Sequence, residues 1–349
     1  MSLYERVAGL PVTVDGIRLE LLRAEVSSGF QRVTTRVELF GGGQIGEGED
    51  VTYDADAHDA GLPRQRALPV AGTHTVDSLS QLFERHLLPV ERSYERWGFE
   101  SAALDLALRQ ARLTFPAAFG REFAPLRFVV STRLGSPPDD TIVRGWMAAT
   151  PGLEFKLDPQ SSWTPELFAS LAATGRVRVL DLKSVYKDSP VDQPFDPVLY
   201  RRVRDMALAA AVPPYIEDPD VSAEGLSALA GAERLFSWDA PIHSVADIQE
   251  LALRPGAVNI KPSRFGSLRR LLDAIDYCAA EGIPTYGGGQ FELGPGRDQI
   301  QAVAATFYPH TPNDVAPRDY NQGDPRPGLP GSPLAPPRSV RAGFGFLRE

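Results

Sequence analysis

The amino-acid sequence predicts an α/β protein in two parts: an N-terminal α+β domain, then a parallel α/β domain folded as a barrel or a doubly wound sheet. Three observations carry this. A chain of 349 residues has room for two ordinary domains, or for one barrel with an addition. Residues 16–40 alternate in polarity as half-buried strands do, before helical spacing takes over. From about residue 125, short apolar runs alternate with amphipathic stretches, as in repeated strand–helix units.

Taken in order, residues 16–25 and 31–40 read as two strands joined through Ser27-Ser28-Gly29. Gly41-Gly42-Gly43 turns the chain, and a further extended piece runs through Val51-Thr52-Tyr53. Residues 54–75 are polar and read as loop. Two helices follow: Asp77 to Pro89, carrying Leu79, Leu82, Phe83 and Leu87, and Phe99 to Leu113, carrying Ala103, Leu106 and Leu108. This first domain covers residues 1–124. In residues 125–316 the expected strands are Arg127–Ser131, Leu153–Leu157, Val177–Leu182, Tyr215–Glu217, Leu235–Trp238, Ala257–Ile260 and Pro284–Tyr286. Between the last two, Leu268, Leu271, Leu272, Ile275, Cys278 and Ala279 share one helical face, closed by Gly282. Residues 317–349 turn irregular, with six prolines between 323 and 338, and are expected to pack back on the first domain.

Composition narrows the classes. A hydrophobic fraction of 43% with 23% charged residues supports a buried core and excludes wholesale disorder. The net charge of −9 argues against nucleic acid or an anionic membrane as the main partner. No run of 18 apolar residues occurs, and the first 30 residues lack the basic start and apolar stretch of a signal peptide, so a soluble, cytoplasmic protein is expected. Cys278 is the sole cysteine, which excludes an intrachain disulfide and any cysteine-rich metal site. Of the 36 basic residues only Lys156, Lys183, Lys187 and Lys261 are lysine. Arginine stays protonated near neutral pH and lysine need not, so lysines in apolar strand-like segments are candidates for proton transfer.

Gly41, Gly43 and Gly46 satisfy G-x-G-x-x-G after a strand, but the fingerprint needs a helix to open there, and Glu47-Gly48-Glu49-Asp50 follows instead. A turn accounts for these glycines better than a nucleotide site. Acidic residues at strand ends are more informative. Asp181 ends Val-Arg-Val-Leu-Asp, Glu217 ends Pro-Tyr-Ile-Glu, Asp239 ends Leu-Phe-Ser-Trp-Asp, and Lys261 ends Ala-Val-Asn-Ile-Lys. Each alone would be a helix cap. Three carboxylates at successive strand ends would meet at one mouth and repel, unless a hard cation such as Mg²⁺ lay between them.

These pieces resemble the enolase superfamily, on the side of the mandelate racemase and muconate-lactonising branches. The matching segments are Gly46-Glu47-Gly48-Glu49, Trp97–Leu108, Phe155–Asp158, Asp181, Tyr215–Pro219, Ser237–Asp239 and Asn259–Pro262, over nearly the whole chain. The resemblance implies a (β/α)₇β TIM-like barrel with an N-terminal α+β capping domain, its site at the C-terminal ends of the strands. It implies removal of a proton α to a carboxylate with Mg²⁺ as cofactor. By position, Asp181, Glu217 and Asp239 resemble the metal ligands and Lys261 the base. The family's second strand carries Lys-x-Lys where this chain has Lys156-Leu157-Asp158, and its third carries Asp-x-Asn where this chain has Asp181-Leu182-Lys183. Lys183 and Lys156 are therefore candidates for an acid or electrostatic partner. Period-two alternation predicts an Asp158–Lys183 ion pair inside the barrel. Arg264, Glu292 and Arg297 are candidate substrate contacts, as are Phe30 and Tyr53 on the capping loops. Two functions stay open: an Mg²⁺-dependent lyase or isomerase acting on a small carboxylate, and a carboxylate-binding barrel without turnover. Relatives are often oligomers, so a homo-oligomer stays open as well.

Overall fold

The alternation over residues 16–40 builds an antiparallel sheet in the computed structural model, which describes residues 1–26, 31–87, 93–186, 193–321 and 324–347. Helix α1 (Leu3–Ala8) and strand β1 (Pro11–Val14) precede it; the sheet itself is β2 (Gly16–Glu25), β3 (Gln31–Gly41) and β4 (Gln44–Asp50). The β3–β4 hairpin turns on Gly42 and Gly43, at φ 57° and 73°, a left-handed region that glycine enters freely. The third strand thus lies ahead of the expected Val51–Tyr53 piece. The polar stretch after it is not loop. It forms α2 (Ala55–Arg66) and β5 (Gly72–Thr75), which pairs with β1. Helix α2 carries little apolar residue and has Pro63 inside, so periodicity hides it; its start is set by Asp54, which accepts from the amides of Asp56 and Ala57.

Helices α3 (Val76–His86), α4 (Ser93–Gln110) and α5 (Phe115–Ala118) complete the domain. The second helix of the sequence reading begins six residues earlier than expected, at Ser93, and ends at Gln110. It lies so close to β4 that a Cβ at Gly46 would collide with the Leu106 backbone and one at Gly48 with the Gly98 carbonyl. The glycines that mimic a nucleotide fingerprint therefore serve a hairpin turn and a strand–helix contact, and β4 continues where the fingerprint needs a helix.

The second domain alternates β6 (Val130–Thr132), α6 (Thr141–Ala149), β7 (Phe155–Leu157), α7 (Pro165–Thr174), β8 (Val177–Asp181), α8 (Pro197–Ala209), β9 (Tyr215–Glu217), α9 (Ala223–Ala228), β10 (Phe236–Trp238), α10 (Val245–Gln249), β11 (Ala257–Ile260), α11 (Pro262–Phe265), α12 (Leu268–Ala280), β12 (Thr285–Gly287) and α13 (Gly296–Phe307). Strands β6 to β12 form one parallel sheet in sequence order. Its two edges are bridged by residues 313 and 314: Val129 N donates to Asn313 O at 2.8 Å, and Asp314 N donates to Gly287 O at 2.7 Å. Where an eighth strand was expected, a two-residue bridge joins the edges of a curled seven-stranded sheet. Val179, Ala257 and Tyr286 fill its interior, with Tyr215 stacked 5.4 Å from Tyr286. Of the C-terminal segment, Leu334 bridges Leu126, while Phe344 stacks on Phe115 at 4.4 Å and its amide donates to Asp105.

Candidate active site

Parallel strands put like ends together, and the side chains at one end of this sheet are charged. Asp181 and Glu217 are register partners on β8 and β9; Asp239 and Lys261 follow β10 and β11 directly; Lys156 is the middle residue of β7. All five are buried. The three carboxylates do not share an open space. Lys156 Nζ lies 3.2 Å from Asp181 Oδ2 and 3.7 Å from Asp314 Oδ2, and it donates to Glu217 Oε1. The other Glu217 oxygen accepts from the Tyr286 hydroxyl and from Asn259 Nδ2, the latter at 3.2 Å. Asp239 is turned to two cations, Lys261 Nζ at 2.7 Å and Arg264 Nη1 at 2.5 Å.

The charges hold one another. Burial alone would raise Asp181, but Lys183 and Lys156 outweigh it and keep the carboxyl far below its usual range. Asp239 is held down to about 2, burial being overcome by Arg264 and Lys261. Burial disfavours the Lys156 ammonium, yet Glu217, Asp181 and Asp314 more than offset it and hold its pKa well above the ordinary value. Glu217 is pushed up to about 8 by burial, with Asp181 and Asp239 adding to it against the pull of Lys156. Asp218 rises to about 7 through burial and the neighbouring Asp239.

Lys183 Nζ lies 2.7 Å from Asp181 and 3.5 Å from Asp158, so the residue pair that replaces the family pattern on strands two and three is in ionic contact. Lys183, Asp218 and Phe291 all have positive φ, at 52°, 45° and 54°. Such strain in non-glycine residues gathers at sites where surrounding structure imposes it. Asp218 shows what imposes it: its carboxylate accepts from the amides of Asp239, at 2.9 Å, and Ala240, at 3.1 Å, and so locks the next strand end.

The remaining candidates divide. Arg264 is part of the centre. Glu292 and Arg297 are buried and paired with each other at 2.9 Å. Tyr53 lies at the capping side, its hydroxyl donating to Gln290 at 2.9 Å and its ring lying 4.4 Å from the Arg32 guanidinium. Phe30, like Ser28 and Gly29, lies outside the described residues. Sequence reasoning passed over Tyr286, Asn259, Asp218, Asp314 and Arg133, which lies 3.4 Å from Asp158. A polar tip inside an apolar strand marks Tyr286 and Asn259, and the bridge position marks Asp314; Arg133 carries no such signal.

Carboxylates are the hard oxygen donors that Mg²⁺ takes. Among the described residues, no three His, Cys, Asp or Glu side chains are gathered closely enough to hold an ion, because ammonium and guanidinium groups hold the oxygens. The charge count nonetheless leaves room for one. Asp158, Asp181, Glu217, Asp218, Asp239 and Asp314 meet Lys156, Lys183, Lys261 and Arg264, six carboxylates against four cations, with Arg133 half exposed at the rim. The donor set, oxygen ligands alone, fits a dication.

Profiles described as the N-terminal and C-terminal domains of "Domain of unknown function (DUF8230)" match residues 5–118 and 122–322. A muconate cycloisomerase from Pseudomonas fluorescens has a similar fold, with a TM-score of 0.71 and 18% identity over 96% of each chain. A member of the enolase superfamily from Roseovarius nubinhibens ISM aligns with a TM-score of 0.68 and 18% identity, over 97% of this chain and 94% of that one. An N-succinylamino acid racemase from an Amycolatopsis species is 40% identical over 76 residues, 21% of this chain and 19% of the racemase, so the chain spans about a fifth of that curated relative. The fold is that of the enolase superfamily, as the motifs implied.

Proposed function

We propose that this chain, which belongs to the DUF8230 family, is an Mg²⁺-dependent lyase or isomerase that removes a proton α to the carboxylate of a small acid. The observation that carries the reading is the placing of Lys261 and Lys183 on either side of three buried strand-end carboxylates, in a sheet that we read as a (β/α)₇β barrel. Asp181, Glu217 and Asp239 would hold the cation, whose chemistry is to neutralise charge gathering on the substrate carboxylate. Lys261 is assigned as base. Once Asp239 serves the cation, Lys261 is released from the carboxylate that pairs with it at 2.7 Å and can turn to the substrate. Lys183, tied to Asp158 and Asp181, delivers or accepts a proton from the neighbouring strand, and Arg264 orients the substrate. Tyr53 and the Glu292–Arg297 loop border the substrate on the capping side, with Phe30 assigned there by sequence. A small acid as partner, without nucleic acid or membrane, and a place in the cytoplasm go with this reading; no described helix is long and apolar enough to cross a membrane.

The test is deuterium wash-in at the α-carbon, with Mg²⁺ in D₂O, across N-succinylamino acids, dipeptides, muconate, hydroxy acids and acid sugars. Exchange should fall by ~10²–10⁴-fold in Lys261→Ala, the usual contribution of a positioned proton-transfer group. An unchanged rate moves the base to Lys183. The hold of Lys156 on two of the three ligands favours a second reading, a carboxylate-binding barrel without turnover. That reading predicts substrate binding with no exchange for any acid of the panel.

A further inference from the structure

We infer that Lys156 is a built-in competitor for the cation site, and that a divalent ion gains Asp181 and Glu217 only when the ammonium moves onto Asp314; this rests on the Mg²⁺ reading above. Lys156 is 3% exposed and sits in the middle of a three-residue strand paired on both sides, so its stem cannot swing out to solvent. Its three N–H donors meet three carboxylates, on Asp181, Glu217 and Asp314. Glu217 cannot turn away to make room. Its far oxygen is held by the Tyr286 hydroxyl and Asn259, and Tyr286 is itself 2.9 Å from Ser237 Oγ. Asp181 is tethered as well: the Lys183 amide donates to its Oδ1 at 3.1 Å, and Lys183 Nζ shares its Oδ2 at 2.7 Å.

An ammonium and a dication cannot share those oxygens, since like charges at such separations repel strongly away from water. Of the three carboxylates around Lys156, Asp314 alone is not a strand-end ligand candidate. It lies on the two-residue bridge that closes the sheet, 3.7 Å away, with a side chain 19% exposed. A shift of about an ångström would convert that loose contact into a full ion pair and take the Lys156 ammonium off both ligands. Lys156 thereby sets how tightly the protein holds its metal, apart from any part it takes in proton transfer.

The test is Mn²⁺ binding to the full chain, read from the loss of the free-ion electron paramagnetic resonance signal, with Mg²⁺ as competitor. Lys156→Met should bind Mn²⁺ at least about tenfold tighter than the parent protein, and Asp314→Asn about tenfold weaker, each tenfold step being 1.4 kcal/mol. Lys156→Arg, which keeps a cation, should stay weak. If Lys156→Met folds poorly without metal, Asp314→Asn decides. An unchanged affinity in Asp314→Asn overturns the inference, as does equal or weaker binding by a folded Lys156→Met. Equal binding by all the proteins defeats this inference and leaves the Mg²⁺ reading standing; no binding by any of them defeats both.

Discussion

Glu154 shows how one side chain joins three strands. It lies just ahead of β7, at the end of the sheet away from the charged centre. There it accepts from Arg127 Nε at 2.6 Å, Arg127 Nη2 at 2.9 Å and Arg178 Nε at 2.6 Å. Burial would raise its pKa, but the two guanidinium groups outweigh burial and hold it below the ordinary 4.5. A depressed carboxylate stabilises the fold above its unfolded pKa and loses that contribution as pH falls through the folded value. Glu154→Gln should therefore cost about 1–2 kcal/mol at pH 7, a figure discounted for the solvent that reaches the pair. The gap to the parent protein should narrow below about pH 4. Urea melts at pH 7 and pH 3 check this; an equal gap at both would show that packing rather than charge holds the three strands together. The residues of the charged centre follow the same physics with less water. Lys183 is bound to Asp181 and Asp158 together, and the arginine-rich composition makes lysine at that position a specific choice.

Between elements, the capping sheet is fastened to the site by a carboxylate at the end of β4. Glu49 is buried and accepts from the backbone amides of Leu293 at 2.7 Å, Gly294 at 2.9 Å and Gly296 at 2.9 Å. The loop after β12, which carries Glu292 and leads to Arg297 in α13, is thus held from the other domain. Glu49→Ala would leave three backbone donors without that acceptor, Gly296 N buried and the other two partly so, at a cost of about 3 kcal/mol. Hydrogen exchange should rise first in residues 290–297, and wash-in activity should fall together with loop order. Protection retained in that loop would place its anchoring elsewhere, in the Glu292–Arg297 pair. Helix α4 is the counterpart on the other face of β4. Its Trp97–Leu108 stretch packs where Gly46 and Gly48 permit close approach.

Across the whole molecule, the last residues fasten onto the first domain. Phe344 is fully buried between Phe115 and Trp97, and its amide reaches Asp105 in α4. Phe344→Ala should destabilise the protein by about 3–5 kcal/mol, the usual cost of an aromatic-to-alanine cavity. A single cooperative melt shifted downward is the expected result. A parent-like melting temperature would mean that the segment is an appendage.

Sequence alone determined what local patterns can encode. Residues at offsets 0, 3, 4, 7, 10 and 11 from Leu268 made α12 legible, and runs ending in Asp181, Glu217, Asp239 and Lys261 placed charged groups at one end of parallel strands. Period two predicts Lys156, Asp158, Asp181 and Lys183 on one face, although Asp158 and Lys183 lie just beyond β7 and β8 and Lys183 leaves the extended conformation at φ 52°. Only the tertiary structure decided which charge met which. Lys156 and Glu217 are 61 residues apart, and a flexible ammonium settles on whichever carboxylates the curl of the sheet brings within reach. For the same reason α2, started by a cap and carrying little apolar surface, and the bridge at residues 313 and 314, too short to have a period, appeared only with the fold. The sites of charge were local facts of the chain; their pairing, and with it the room left for a metal ion, depended on contacts between strands distant in sequence.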